Sequence, residues 1–155
     1  MFNDSIIVVP WDFSALSKCA LNLALEKTTP DRIRVICVLE RPEPYTLQWG
    51  EEKEAHALEA CEQQFWDESP VESASGLEFK TTFGDAPTEI VRLADSLNAG
   101  LILMSTHGRN RLERLVMGSV AKRVTQTAKC PVLLLPYTWC DSHQNQSSMA
   151  DNTNH

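Results

Sequence analysis

Residues 101–120 read LILMSTHGRNRLERLVMGSV, and this stretch decides how the chain is interpreted. It begins with an apolar run at residues 101–104, which is typical of a strand buried on both faces in a parallel sheet. A polar segment containing glycine follows, and Gly118 and Ser119 then open a helix predicted over residues 118–128. Glycine and hydroxyl side chains between a buried strand and a helix are typical of an anion-binding turn. The stretch therefore predicts an α/β unit with a site at the end of its strand.

The same pattern of strands and helices recurs on both sides of this stretch. Short apolar or β-branched runs predict further strands at residues 5–10, 34–39, 77–83 and 131–135. Apolar residues at helical spacing predict helices that follow Ser14, span residues 50–66 and follow Pro87. Such alternation implies right-handed crossovers between parallel strands. We expect a single doubly wound α/β domain over residues 1–136, with a five-stranded parallel sheet in the order 3-2-1-4-5 and helices on both faces.

The remaining segment and the cysteines predict little additional structure. Residues 137–155 are rich in Ser, Asn, Gln and Asp, so we expect a mobile polar tail outside the core. The five cysteines are odd in number and include no close pair, which is typical neither of a disulfide framework nor of a zinc site. Because free cysteine behaves as a small hydrophobic residue, four are expected to be core or near-core thiols, namely Cys19, Cys37, Cys61 and Cys130. Cys140 lies in the predicted tail and is the exception.

Composition and charge restrict the classes of function. The 155 residues are 43% apolar and 23% charged, which is ordinary for a globular domain, and the net charge is −7. Nucleic-acid binding depends on Lys and Arg to neutralise phosphates, so the negative charge disfavours DNA and RNA as partners. The apolar runs are too short to cross a bilayer, and no basic segment typical of a signal peptide opens the chain. We therefore expect a cytoplasmic protein with no membrane partner.

The predicted sheet directs attention to the residues that follow its strands, because doubly wound proteins bind ligands beyond the carboxyl ends of the strands. Gly108 and Gly118 would let the backbone approach phosphate oxygens, and the Ser119 hydroxyl could donate a hydrogen bond. Arg109 adds positive charge in the same loop. A purely structural interpretation stays open on spacing alone, with Gly108 in a turn and Ser119 as a helix cap.

Two common nucleotide motifs are absent from the sequence. The loop lacks the Gly-Lys-Ser/Thr ending of a Walker A motif, so no NTPase of that class is indicated. Residues 10–14, PWDFS, lack the glycine fingerprint of dinucleotide-binding domains, which disfavours NAD. Asp12 could accept hydrogen bonds from ribose hydroxyls or help to hold a cation, and its alternative role is that of a carboxylate at the start of a helix.

Together these residues resemble the universal stress protein family, from about residue 4 to residue 135. The family signature G-x-x-G-x9-G-[ST] matches Gly108, the nine-residue spacer, Gly118 and Ser119, while Ser105 stands where the first glycine belongs. Further matches are Pro10-x-Asp12, Cys37-Val38, Gly84-x-x-Pro87 and Cys130-Pro131-Val132. The chain is more similar to the ATP-binding members than to those that lack the glycine signature.

The resemblance implies a site for ATP, ADP or AMP, with or without Mg²⁺. Asp12 would contact ribose or adenine, and the main chain of Val38 would read the adenine edge. The implied ATP-binding residues are Pro10, Trp11, Asp12, Val38, Met104, Ser105, His107, Gly108, Arg109, Gly118, Ser119 and Val120. The glycines, Ser119 and Val120 would hold the phosphates. We expect no catalytic residue and no metal ligand of the protein's own.

The resemblance also implies a homodimer that forms through the last strand. An exposed sheet edge invites pairing and must be covered. The residues concerned are Val132, Leu133, Leu134 and Leu135.

Three functional hypotheses follow. The first is a stress-response or regulatory protein that binds ATP and hydrolyses it slowly at most, because no nucleophile or paired carboxylate lies near His107 in the sequence. The second is a nucleotide-free dimeric interaction module in which Ser105 closes the pocket. The third, a phosphoacceptor receiver domain, is disfavoured: the first strand offers only Asp12, the phosphorylated carboxylate would have to be Asp85, and no well-placed lysine is apparent.

Overall fold

Strands and helices alternate along the chain. The structure is a computed structural model that describes residues 4–41, 50–107 and 117–150. The strands are β1 (Ile7–Pro10), β2 (Ile33–Leu39), β3 (Glu78–Phe83), β4 (Leu101–Ser105) and β5 (Val132–Leu135). The helices are α1 (Ala15–Lys27), α2 (Glu51–Glu68), α3 (Ala86–Ser96), α4 (Ser119–Thr127) and α5 (Tyr137–Ala150). Short 3-10 turns occupy Pro30–Arg32 and Ser73–Ser75.

The five strands form one parallel sheet in the order β3-β2-β1-β4-β5. The predicted fold class, a doubly wound α/β domain with strand order 3-2-1-4-5, is confirmed. The pairing of β1 with β4 ends at Val8 and Ile102, whereas β4 stays paired with β5 as far as Ser105 and Leu135. The carboxyl ends of β1 and β4 are therefore no longer paired with each other, and a crevice opens between them.

Side chains alternate between the two faces of the sheet, as the pleat of a strand requires, and they build two apolar clusters. The first lies under α1, α2 and α5 and is called here the aromatic layer, after its members Trp11, Phe65 and Phe79. The second lies under α3 and α4 and is called the aliphatic layer; it includes Ile36, Ile90, Ala94, Ile102, Met104, Ala121 and Val124. Both layers are closed by helices, which is why the central strands read as continuous apolar runs.

Local signals in the sequence place the starts of α1 and α3 correctly. Ser14 is the N-cap of α1, and its hydroxyl accepts a hydrogen bond from the backbone N–H of Ser17 at 3.1 Å. Asp85 caps α3, with Pro87 in the first turn, where the missing N–H of proline costs no hydrogen bond. None of the helices in the described ranges combines the length and apolar character needed to cross a bilayer.

The C-terminal segment differs from the prediction. Residues Tyr137–Ala150 form helix α5, and Cys140 is only 1% exposed within the aromatic layer. Tyr137 and Trp139 pack against the same layer. The prediction that this segment stays outside the core is therefore wrong for these residues. The polar composition of the segment hid them, because they all lie within one helical turn at its start.

The cysteine prediction is wrong for Cys19, which was expected to be a thiol. Cys19 in α1 and Cys140 in α5 form a disulfide, with Cα atoms 5.9 Å apart. The two residues are 121 positions apart, so their spacing carries no signal, and only the packing of α5 brings them together. Cys37, Cys61 and Cys130 are thiols, as predicted.

Candidate functional site

A cavity of about 380 Å³ lies at the carboxyl ends of β1, β2 and β4, beside the first turn of α4. Its volume falls within the ~300–1,000 Å³ of pockets that hold small ligands. The position is the point where strand order reverses, since β2 and β4 lie on opposite sides of β1. Doubly wound sheets bind their ligands at this point.

Ten of the twelve residues of the predicted ATP site line this cavity. They are Pro10, Trp11, Asp12, Val38, Met104, Ser105, His107, Gly118, Ser119 and Val120. The other two, Gly108 and Arg109, lie outside the described residues. The sheet therefore gathers residues from the ends of three strands and from the start of α4 around one space.

Asp12 lies in the turn between β1 and α1. The backbone N–H of Ser14 donates to its Oδ1 at 3.0 Å, which holds the carboxylate beside the cavity. Phe13, between them, has a φ of 64°, a left-handed conformation that bulky residues rarely adopt. Packing of the Phe13 ring edge-on against Trp11, with centroids 5.7 Å apart, helps to offset this strain. The turn thus fixes a hydrogen-bond acceptor at the end of β1.

Trp11 contributes main chain to the cavity wall, because its ring belongs to the aromatic layer. The residue is 3% exposed, and its ring packs edge-on against Phe65 with centroids 5.1 Å apart. Its backbone N–H donates to the carbonyl of Ile36 at 2.8 Å, which continues the β1–β2 ladder beyond Pro10. The ring of Trp11 is thereby held in the aromatic layer, and its Nε1 is buried with no hydrogen-bond partner among the described residues.

Val38 presents both backbone polar groups to the crevice. In a parallel ladder, alternate residues direct their N–H and C=O to opposite neighbouring strands. The carbonyl of Ile36 faces β1, where it accepts from Trp11, and the carbonyl of Leu39 faces β3, where it accepts from Gly84 at 3.1 Å. Val38 must then face β1, which has already ended at this level of the sheet. A donor and an acceptor are left side by side at the cavity.

Ser105 lines the cavity without filling it. Its hydroxyl donates to the carbonyl of His107 at 2.7 Å and so closes a short turn after β4. The cavity retains its volume with this side chain in the wall. The geometry argues against the hypothesis that Ser105 closes the pocket.

His107 brings an incompletely paired imidazole to the cavity wall. Its Nδ1 lies 2.8 Å from the hydroxyl oxygen of Thr106, whereas its Nε2 is buried with no hydrogen-bond partner among the described residues. An unpaired buried polar atom costs about 1–3 kcal/mol. A polar group of a ligand in the cavity would complement this nitrogen.

The first turn of α4 supplies backbone N–H groups that have no partner within the helix. Gly118 is the N-cap, its φ of −58° is open to any residue, and no side chain in the described ranges caps the helix. Its own N–H donates to the carbonyl of Thr106 at 2.7 Å, which ties the start of α4 to the end of β4. The next three residues, Ser119, Val120 and Ala121, line the cavity at the positive end of the helix dipole. The interpretation of Ser119 as the cap is wrong, because Ser119 is the first residue inside the helix.

Sequence reasoning missed several residues of the wall. They are Ser17, Ile36, Glu40, Ala86, Ile90, Thr106 and Ala121. Glu40 and Thr106 directly follow β2 and β4, so the rule of searching after each strand could have found them. The side chains from α3 have no such signal, because their place at the cavity follows from helix packing alone.

An ion pair joins the two helices that flank the cavity. The guanidinium of Arg123 in α4 donates to both carboxylate oxygens of Asp85, the N-cap of α3, at 2.8 and 2.9 Å. Hydrogen bonds from Arg123, and next from Thr88, lower the pKa of Asp85 from its ordinary value of 3.8 to about 2. In the described residues, no group of three His, Cys, Asp or Glu side chains is arranged to hold a metal ion.

The strand order, the crevice at its reversal point and the first turn of α4 define a doubly wound α/β domain with a strand-end pocket of small-ligand size. The model of the universal stress protein family matches residues 5–136, and the chain belongs to this family. The family expected from the sequence motifs is thereby confirmed.

Relatives of known sequence agree with this assignment. A universal stress protein of Methanocaldococcus jannaschii is 48% identical over 52 residues, which cover 34% of this chain and only 31% of that protein. A universal stress protein of Staphylococcus aureus (strain USA300) is 28% identical over 138 residues, covering 83% of this chain and 82% of the relative.

Solved structures share the fold. The hypothetical protein MJ0577 aligns with a TM-score of 0.71 at 22% identity, covering 84% of this chain and 94% of its own. UspA from Lactobacillus plantarum gives a TM-score of 0.65 at 22% identity, with coverage of 86% and 98%. A universal stress protein in complex with cAMP gives 0.58 at 19% identity, with coverage of 84% and 96%.

Proposed function

We propose that this chain binds an adenine nucleotide, primarily ATP, in the strand-end cavity. We further propose that it acts in regulation or stress response. One observation carries the proposal: Val38, with its backbone donor and acceptor, and the first turn of α4, whose N–H groups have no partner within the helix, line the same cavity. The first pair suits the edge of a base and the second suits phosphate.

The adenosine half of the ligand would lie near β1 and β2. Adenine offers a ring nitrogen that accepts and an amino group that donates, which the N–H and C=O of Val38 complement. Ile90 and Met104 give the cavity apolar surface for the faces of the base. The Asp12 carboxylate, held by Ser14, would accept hydrogen bonds from ribose hydroxyls.

The phosphate half would lie against α4. The backbone N–H groups at Ser119 and Val120 point out of a helix N-terminus, where anions bind. Gly108 and Arg109, outside the described residues, are proposed to complete the cradle. Asp12 and Glu40 make the described wall acidic, so Mg²⁺ held by the phosphates would offset the repulsion between them and the ligand.

The same site argues for binding with slow hydrolysis at most. A general base must reach the attacking water and be correctly oriented. In the described part of the wall, His107 is the sole imidazole, and its Nδ1 is engaged with Thr106. One carboxylate oxygen of Asp12 is likewise engaged with Ser14. The geometry favours a nucleotide-dependent binding protein over a fast enzyme.

A related fold gives independent support. The universal stress protein solved in complex with cAMP holds an adenine nucleotide, and its fold covers 84% of this chain. Because its identity to this chain is 19%, the likeness supports a nucleotide ligand in general but carries no information on the number of phosphates.

The proposed test measures the rise in Tm that ATP produces, which a ligand that binds only the folded state must cause. Gly118→Val is expected to abolish this rise, because the added side chain projects at the start of α4 while the backbone φ of −58° remains allowed. Gly50→Val is the matched control: Gly50 is also a helix N-cap without a side-chain bond, and a Cβ there meets no atom within 4 Å.

Three outcomes would contradict the proposal or its site. Absence of both a Tm rise at millimolar ATP and a co-purified nucleotide in the mass spectrum would overturn nucleotide binding and favour the nucleotide-free interaction module. Retention of the rise in Gly118→Val would overturn the site. Ser105→Gly is expected to preserve or enlarge the rise, since the wild-type hydroxyl is engaged with His107, and loss of the rise in this variant would contradict that role of Ser105.

A homodimer through β5 forms part of the same proposal. Among the strands of the described ranges, β5 pairs with β4 alone and forms an edge of the sheet, and Leu133 on it is 45% exposed. An exposed apolar edge strand favours association with a second copy. Sedimentation velocity should give a dimer for wild type and a monomer for Leu133→Lys. A wild-type monomer at micromolar concentration would overturn this part alone.

A further inference from the structure

The disulfide between Cys19 and Cys140 joins the family domain to a helix that lies beyond it. The family match ends at residue 136, and α5 begins with Tyr137. Cys19 is 7% exposed and Cys140 1% exposed, so the bond lies inside the aromatic layer. The pair is therefore a feature of this chain that the family domain alone does not contain.

The described buried contacts of α5 are concentrated at its start. Tyr137 and Trp139 pack partly buried against the aromatic layer, and Cys140 is the one fully buried side chain in the described part of the helix. The next residues, 141–143, are exposed. Without the covalent bond, α5 would be held mainly by one turn of side chains. Segments with so few buried contacts open more readily than the core does.

We propose that Cys19 and Cys140 form a redox modification site that fastens α5 to α1 when oxidised and lets it open when reduced. The oxidant class is a hydroperoxide. With hydrogen peroxide, one thiol releases its proton and the thiolate attacks a peroxide oxygen; the O–O bond breaks, the leaving hydroxide takes up the proton, and a sulfenic acid and one water form. The second thiol attacks that sulfur and a second water leaves, so that two thiols and hydrogen peroxide give a disulfide and two waters. A dithiol reverses the change by two thiol–disulfide exchanges and is itself oxidised.

Because of where the pair lies, its oxidation state affects how firmly α5 is held. The bond closes a loop of 121 residues, and long loops are those that a disulfide constrains most. In reducing compartments disulfides are rare and those that form are usually transient, so the pair would alternate between its two states there. When α5 opens, the apolar surface that it covers on α1 becomes exposed.

A second pair of thiols provides a competing reaction. A hydrogen bond from Cys37 lowers the pKa of Cys61 to about 7, which favours its reactive thiolate form. Both residues are buried, Cys37 on β2 and Cys61 on α2. Identification of the linked peptides therefore decides which pair responds to peroxide.

The experiment compares the full chain after treatment with hydrogen peroxide and after treatment with dithiothreitol. Peptide mapping should find Cys19 linked to Cys140 only in the oxidised sample, with three thiols left to alkylate out of five after denaturation. Chymotrypsin cleavage after Tyr137 and Trp139, followed by mass spectrometry under reducing conditions, should be about tenfold or more faster in the reduced protein.

Two cysteine variants complete the test. Cys140→Ser should be cleaved quickly in both states, whereas Cys130→Ser should keep the redox dependence of wild type, since Cys130 lies outside the pair. A peroxide product that links Cys37 to Cys61 instead would overturn the proposal, as would equal cleavage rates in oxidised and reduced wild type. The wild-type comparison stands even where a variant fails to fold. It uses no nucleotide, so its result is independent of ATP binding.

Discussion

The aromatic and aliphatic layers lie on opposite faces of the same strands, and they differ at the carboxyl ends of those strands. In the aromatic layer, Phe65 stacks on Phe79 with centroids 4.1 Å apart and meets Trp11 edge-on at 5.1 Å. Large rings fill the space up to the carboxyl ends of the strands. In the aliphatic layer, the helices bring Ala86 and Ala121 to the same level, and a cavity of about 380 Å³ remains.

The difference teaches that side-chain volume decides which face of a doubly wound sheet can take a ligand. Both faces have helix starts above the strand ends, and both have apolar strand residues beneath. Protein interiors pack densely, so a cavity persists only under particular conditions. Its walls must carry small side chains and polar groups that can still form hydrogen bonds. Four substitutions test this contrast.

The largest expected effect is on stability and lies in the aromatic layer. Phe65→Ala removes a ring that is fully buried, and it should lower the free energy of unfolding by about 3–5 kcal/mol in urea titrations. The ATP-induced rise in Tm should persist, because Phe65 does not line the cavity. Phe65→Leu, which keeps most of the volume, is the control and should cost less. A loss below about 1 kcal/mol for Phe65→Ala would contradict the packing of this layer.

The next effect is on binding and lies in the aliphatic layer. Ala121→Leu places a larger side chain in the cavity wall, so the ATP-induced rise in Tm should disappear. The cost in stability should stay near ~1–3 kcal/mol, since the cavity can accept the added atoms. Ala94→Leu, in the same layer but away from this cavity, should destabilise the protein and leave the ATP response intact. If Ala121→Leu bound ATP with the Kd of wild type, the proposed difference between the two layers would be contradicted.

A smaller effect tests the backbone of the crevice. Val38→Pro removes the N–H that is proposed to contact adenine. The hydrogen bonds between β2 and β3 should remain, because this N–H faces β1. Calorimetric titration should give a Kd for ATP about tenfold weaker. Val38→Ala retains the N–H and should bind nearly as well as wild type. Equal losses in the two variants would show that the side chain, and not the backbone donor, matters.

The smallest effect concerns the ion pair beside the cavity. The folded pKa of Asp85 lies below its unfolded value, so the pair stabilises the protein above about pH 4, and this stabilisation is lost as the pH falls through about 2. Asp85→Asn keeps a side chain that can cap α3 but loses the charge. Its urea midpoint should lie below that of wild type at pH 6, and the two should converge near pH 2. A constant difference across this range would contradict the role of the charge.

Much of the fold was readable from the sequence, because its signals are local. Apolar runs such as residues 101–104 mark buried strands, Ser14 and Pro87 mark helix starts, and the alternation of elements dictates parallel pairing. The position of the cavity was readable to the extent that it follows strand ends, as for Asp12, whereas Val38 came from the family resemblance. Family resemblance supplied the particular residues that position alone leaves open.

Features that depend on distant packing could not be read in this way. The Cys19–Cys140 bond joins positions 121 residues apart, and the burial of Trp139 and Cys140 rests on one turn of a polar segment. Nothing in the local sequence says which face of the sheet the ring of Trp11 joins. Its place in the aromatic layer follows from Phe65, which reaches it from α2.

The same disulfide also determines how the molecule would carry mechanical load. A pulling force applied to the two ends of the oxidised chain would pass from Cys19 to Cys140 through the sulfur atoms. Strands β2 to β5 lie between these residues in sequence and would bear no tension. Only β1 and the first part of α1 could be drawn out on one side, and the end of α5 on the other. Oxidation would thus divide the chain into a short extensible portion and a mechanically shielded sheet.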